Sequence, residues 1–166
     1  MTDAVFKVLV LCTGNSARSI MSEALINVLG AGRFVAYSAG SQPSGRVNPF
    51  AAEQAATIGY PMDHVRSKSW DEFSQPDSPK MDLVITVCDS AAGESCPLWR
   101  GTPLKIHWGF ADPSHVEGSD EAKRAAFAET FALIRRKIEQ LVALPVETLD
   151  RGTLLVKLDQ IGMDVA

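Results

Sequence analysis

The chain has 166 residues, 46% hydrophobic and 22% charged, the balance of one folded domain rather than of a disordered segment. Sixteen Lys and Arg against twenty Asp and Glu leave a net charge of −4, which speaks against a generic nucleic-acid or anionic-membrane surface. No apolar run approaches the roughly 20 residues that span a bilayer, and Met1-Thr2-Asp3-Ala4 lacks the basic start and small-residue cleavage site of a signal peptide. The expected compartment is therefore the reducing cytoplasm. There three cysteines, an odd number, are reactive or buried thiols rather than structural bridges.

Val5 to Leu11 is a short β-branched run bounded by Thr13-Gly14-Asn15 and predicts a buried strand. Ala17, Ile20, Met21, Ala24, Leu25, Val28 and Leu29 then form one stripe of helical period, which Gly30 and Gly32 end. Phe34 to Ser38 predicts a second strand. Asn48 as cap and Pro49 in the first turn open a helix running to about Gly59. His64 to Pro79 is polar, holds two prolines, and reads as loop with at most a turn of helix. Leu83 to Val87 is the strongest strand, and Leu104 to Trp108 is a fourth. Ser119-Asp120 starts a long helix with Phe127, Phe131, Ile134, Ile138, Leu141 and Val142 on one face, its basic clusters on the solvated side. Pro145 breaks it, and a last helix carries Leu154, Leu155, Leu158 and Ile161. Such alternation predicts an α/β fold: a single domain over 1–166, a four-stranded parallel sheet with helices on both faces. Residues 145–166 are expected to form a C-terminal helical extension, and a monomer is the default.

Ligands of such sheets bind beyond the carboxyl ends of the strands. Here that position is Cys12-Thr13-Gly14-Asn15-Ser16-Ala17-Arg18-Ser19. It has neither the lysine of a nucleotide phosphate loop nor the three-glycine dinucleotide fingerprint. Gly14 and Asn15 tolerate positive φ, so the backbone from Thr13 through Gly14, Asn15, Ser16 and Ala17 can curl and turn its N–H groups inward as an anion cradle. Arg18 adds a planar fork for two oxygens of a tetrahedral oxyanion. The same field is expected to lower the pKa of Cys12, placing a thiolate nucleophile under the oxyanion, with the Ser19 hydroxyl as a donor to it. The plainer alternative is a cysteine packed at a strand end with an incidental arginine in the next helix.

CTGNSARS after VLVL, Tyr37-Ser38-Ala39-Gly40 after the second strand and Asp112-Pro113 after the fourth resemble the low-molecular-weight tyrosine phosphatase family, which includes a branch of arsenate reductases. The resemblance covers about residues 5 to 143. It implies a Cys12 nucleophile and Asp112 as the acid that protonates the leaving oxygen, where Asp-Pro alone would read as a turn. Phosphatases of this family commonly carry a second cysteine inside the loop and tyrosines after the Asp-Pro pair; here those places hold Ala17 and Ser114-His115. Thr86-Val87-Cys88 through Cys96-Pro97, and His107 to Pro113, are instead similar to the arsenate reductase pattern.

That branch implies a relay. Cys12 attacks arsenic, Cys88 attacks the Cys12 sulfur and releases arsenite, and Cys96 then moves the disulfide to Cys88–Cys96. Without the resemblance, Cys88 reads as a small buried residue and Cys96 as an idle exposed thiol. Seven residues separate the two, against six usual in thioredoxin-coupled reductases. Thioredoxin is the first reductant expected, glutathione with glutaredoxin the second. Relatives of that group hold potassium on Asn, Glu, Ser and Asp. Asn15, Glu23 and Ser38 match three of these, but the fourth falls within Lys68-Ser69-Trp70, where there is no acid and Lys68 would supply the charge instead. No cofactor or metal is expected: Cys88, Cys96, His107 and His115 lack the short paired spacings of zinc sites, and His64 reads as a surface residue. The resemblance thus implies an arsenate reductase. Its rivals are a phosphomonoester phosphatase working through a Cys12 phosphocysteine, and a non-catalytic oxyanion-binding protein.

Overall fold

A computed structural model describes residues 5–63, 65–88 and 103–163; His64 and Cys96 lie outside these. Four strands, β1 (Phe6–Leu11), β2 (Phe34–Ala39), β3 (Leu83–Thr86) and β4 (Leu104–His107), form one parallel sheet in the order β2-β1-β3-β4. The register sets Leu11 beside Ala39 on one side and beside Thr86 on the other. The order reverses direction at β1, so the crevice beyond the carboxyl ends of β1 and β3 is the topological switch point at which such sheets bind ligands.

The helices follow the expected boundaries closely: α1 (Arg18–Leu29), α2 (Pro49–Thr57), α3 (Asp120–Val142) and α4 (Arg151–Met163). Asn48 caps α2 by accepting from the Phe50 and Ala51 amides, and Ser119 caps α3 by accepting from Ala122. The polar stretch before β3 holds one 3-10 turn, Trp70–Phe73. Val8, Val10, Leu83, Ile85, Leu104 and Ile106 share one face of the sheet and enter a buried cluster with residues of all four α-helices. On the other face Leu9, Leu11 and Val84 are covered, among the described residues, by Trp70, Phe73 and Met81. Among the described residues the four α-helices thus share the first face, and the cover of the second comes from the 3-10 turn and the chain beside it. Among the described residues no helix is long and apolar enough to cross a membrane.

Arg33, just before β2, ties the far end of α3 to the sheet. Its guanidinium donates to the Val142 and Leu144 carbonyls at 2.6 and 2.7 Å and is bidentate to Glu147. A cation on orphan C-terminal carbonyls is favourable. Arg33→Ala is expected to lower the melting temperature by about 2–4 °C, while Arg33→Lys recovers only part, because an ammonium lacks the fork; an unchanged melt in Arg33→Ala would refute this anchor.

Candidate active site

The segment between β1 and α1 is held from outside by its carbonyls. Thr13 O accepts from Gln42 N at 3.0 Å, Gly14 O from Ser44 N and Ser67 Oγ at 3.0 Å each, and Ser16 O from Asn48 N at 2.8 Å. With the carbonyls committed outward, the amide side of the loop faces the cavity. The α1 N-terminus adds to this, since its cap position, Ala17, makes no side-chain capping bond. Unlike α2 and α3, α1 thus leaves its first amides for a ligand.

The resulting cavity, about 480 Å³, is lined by Cys12, Thr13, Gly14, Ser16, Ala17 and Arg18 on one wall. Cys88, Phe110, Ala111, Asp112, Ser114 and His115 form the other. Asn15 is absent from the lining. Fully buried and at φ 44°, it turns the loop; its amide closes onto Cys12 O, its Nδ2 donates to Ser19 Oγ at 2.8 Å, and its Oδ1 accepts from Lys68 N at 2.9 Å. Ser19, also fully buried, is therefore fixed by Asn15 behind the loop.

Cys12 and Cys88 are both buried and in contact. Thr13 N–H, one residue after Cys12, donates to Cys88 Sγ at 3.3 Å, and Thr13 Oγ1 lies 3.7 Å from the same sulfur. The field of the loop and Arg18 by itself would lower the Cys12 pKa, as expected from the sequence; the structure reverses the sign. The hydrogen bond to Cys88, burial and the charge of Cys88 push the Cys12 thiol up, outweighing Arg18 and the Gly14 amide, which pull it down. Two adjacent sulfurs cannot both ionise cheaply, so in this arrangement Cys12 keeps its proton. Cys88→Ala removes the largest cause. The pH midpoint of Cys12 alkylation is expected to move down in that variant, and a midpoint that stays or rises would count against the pairing.

Arg18 and Asp112 face each other across the cavity. Arg18 Nη1 donates to Phe110 O at 2.8 Å, and its Nη2 lies 3.4 Å from Asp112 Oδ2. Asp112 Oδ1 accepts from Ser114 N at 2.9 Å and Ser114 Oγ at 2.6 Å, and His115 Nε2 stands 3.4 Å from Oδ2. Burial works to raise the Asp112 pKa, but the Ser114 hydrogen bonds, Arg18 and His115 outweigh it and hold the carboxyl below its usual range.

Behind the loop, Glu23 is a buried carboxylate that accepts from Ser38 Oγ at 2.6 Å and Tyr60 OH at 2.8 Å. Burial lowers the Lys68 pKa while the Glu23 charge raises it, and Lys68 Nζ donates to Arg66 O. The Glu23 oxygens are thus taken by hydroxyl donors, and Asn15 Oδ1 by an amide, beside an ammonium. These residues do not fit a potassium ion.

The structure therefore brings Cys12, Thr13, Gly14, Ser16, Ala17, Arg18, Cys88 and Asp112 to one cavity and sets Asn15 and Ser19 behind it. Cys96 falls outside the described residues. Sequence reasoning missed the Thr13 contact to Cys88, the use of Phe110 O by Arg18, and Gly40, whose hydrogen would have no room to become a methyl against Cys12 O and Thr13 O. Only the last left a trace, in the Tyr37–Gly40 motif.

Comparison with known proteins agrees with this geometry. An arsenate reductase of Halalkalibacterium halodurans is 38% identical over 78% of this chain and 89% of its own length. One from Bacillus subtilis is 34% identical over 78% and 90%. A solved arsenate reductase in the phosphate binding state superposes with a TM-score of 0.63 at 28% identity, covering 84% of this chain and 98% of its own. Residues 7–153 match the family described as low molecular weight phosphotyrosine protein phosphatase. The chain belongs to that family, in its arsenate reductase branch.

Proposed function

We propose that this protein reduces arsenate to arsenite, with Cys12 as nucleophile, Arg18 and the amides of Gly14, Ser16 and Ala17 as oxyanion holders, and Asp112 as acid. The observation that carries the reading is the contact between two buried thiols, Cys12 and Cys88, at the cavity floor. Ester hydrolysis has no use for the second thiol, whereas reduction does. Relatives named arsenate reductase, one solved with phosphate bound, support an oxyanion as ligand.

An arriving oxyanion competes with Phe110 O and Asp112 for Arg18. It thereby removes one of the groups that keep Asp112 ionised and adds negative charge beside the carboxyl, so Asp112 can take up the proton it must deliver. Asp112 takes the Cys12 proton and passes it to the departing As–OH oxygen, which leaves as water while the S–As bond forms, arsenic remaining As(V). Cys88 then attacks the Cys12 sulfur; the S–As pair stays on arsenic, which leaves as arsenite, and two sulfurs are oxidised to a disulfide. The Thr13 amide steadies the negative charge on Cys88 before this attack. Cys96 resolves the disulfide to Cys88–Cys96, and thioredoxin, or glutathione with glutaredoxin, reduces it. The protein works as a cytoplasmic monomer, and residues 145–166 are an added helical extension.

The test is a single turnover without added reductant. Fully reduced protein mixed with arsenate is expected to release about one arsenite per chain and lose about two titratable thiols. Aryl phosphate hydrolysis without any arsenite would instead favour the phosphatase reading, whose Cys12, Arg18 and Asp112 occupy the same cavity. Neither product would favour a binding protein.

A further inference from the structure

The family match stops at residue 153, yet α4 continues to Met163 and buries Leu154, Leu158 and Ile161. What these residues cover is the root of the segment that carries Asp112. Trp108 follows β4, is 2% exposed, and its indole Nε1 donates to Leu158 O at 3.1 Å. Gly162 lies flat against the same ring: a Cβ there would stand 2.7 Å from Trp108 Cδ1 and 3.0 Å from Nε1. The end of α4 is in turn held to α3, because Lys137 Nζ donates to Ile161 O at 2.8 Å and Gly162 O at 3.2 Å.

From Trp108 the chain reaches Asp112 in four residues, with few other anchors. Trp108 N donates to Thr86 O at 2.8 Å and Phe110 N to Val87 O at 3.1 Å. Across the cavity Arg18 holds Phe110 O and Asp112, and on its own side Asp112 is held by Ser114 and His115 of the turn that follows it. An oxyanion takes Arg18 for itself, so the two Arg18 contacts loosen when the site fills. The indole under α4 is a side-chain anchor at the root of this segment that does not depend on the substrate.

We infer that Trp108 and Gly162 are positioning residues for Asp112, with α4 serving as a fixed brace that keeps the carboxyl over the Cys12 loop after Arg18 has turned to the substrate. This rests on the reading of Asp112 as the acid. The hydrogen bond gives the indole one orientation, and the missing side chain at position 162 lets the helix backbone reach it. Both devices are spent on Trp108, the residue at the root of the segment that carries the acid, whereas Val156 on the same helix faces solvent.

The experiment uses the full chain at 25 °C and reads two quantities: the single-turnover rate of arsenite release, and the phosphate concentration that half-protects Cys12 from alkylation. Trp108→Phe removes the indole donor with little change of shape, and Gly162→Ala drives a methyl into the ring. Each is expected to slow release about 10-fold while phosphate protection stays within about twofold, since the Cys12 loop is untouched. Melting curves ensure that the folded protein is what is measured, and Trp108→Phe keeps the test available if Gly162→Ala does not fold. In an Asp112→Asn background neither substitution should slow the reaction further, because the group they position is gone. Full rates in both single variants, or losses that multiply with Asp112→Asn, would overturn the brace. Asp112→Asn running at the wild-type rate would instead overturn the acid assignment on which it rests.

Discussion

A Cys12→Ser variant is expected to release no arsenite in a single turnover, whereas Cys88→Ser is expected to consume arsenate into an adduct and release arsenite only when a small thiol is added. The difference follows from what each sulfur does. Cys12 alone sits at the head of the loop, within the Gly14 amide and the Arg18 charge, so nothing else can form the S–As bond. A serine there loses the polarisable nucleophile, and a loss of at least about 10³-fold is expected, as for removal of other covalent nucleophiles. Cys88 is needed only as the second thiol. A solution thiol can replace it by attacking the Cys12 sulfur, because disulfide exchange depends on access and thiolate character rather than on one partner. Mass spectrometry of Cys88→Ser after arsenate should therefore find the adduct on Cys12, and dithiothreitol should discharge it. Arsenite from Cys12→Ser with dithiothreitol would place the chemistry on another residue. Unassisted full turnover by Cys88→Ser would remove Cys88 from the relay.

The fold was largely legible because its signals are local. VLVL, LVIT and the 3.6-residue stripe of α1 each point to one element, and Asn48-Pro49 and Ser119-Asp120 mark helix starts that the capping bonds explain. The loop chemistry was legible for the same reason, being one continuous segment. What could not be read were the distances between segments far apart in the chain. The sign of the Cys12 pKa shift depends on Cys88, brought alongside by the pairing of β1 with β3. Asn15 was expected among the cradle amides, but its role is set by Ser19 and by Lys68, which closes over it from a later loop. Glu23 falls on the buried side of α1 although its type suggests solvent, because Ser38 and Tyr60 satisfy it. The seat of Trp108 depends on a helix about 50 residues later in the chain.

Gly40→Ala is expected to disable the cradle without touching a catalytic group. Gly40 is bridged to the segment before the 3-10 turn, its N donating to Lys68 O and its O accepting from Trp70 N, each at 2.9 Å. On its other side lie Cys12 O and Thr13 O, which a Cβ would meet at 2.5 and 2.4 Å. Those carbonyls belong to the backbone that presents the nucleophile, and Cys12 N is itself bonded to Ala39 O at 3.2 Å. The clash therefore has one soft exit, displacement of the Cys12–Thr13 peptide. Overpacking of this kind costs about 1–3 kcal/mol of stability. The larger loss is geometric: a displacement near 1 Å at the nucleophile is worth about 10²-fold in rate. Phosphate protection of Cys12 should weaken along with it, which separates this variant from Trp108→Phe. Gly32→Ala provides the control, because Gly32 has φ +90° with open space around its Cβ and lies at the opposite end of the sheet. It should lose about 1–2 kcal/mol to torsional strain and keep its single-turnover rate. If Gly40→Ala binds phosphate and releases arsenite as the wild type does, the close approach of β2 to the Cys12 loop is not what shapes the cradle.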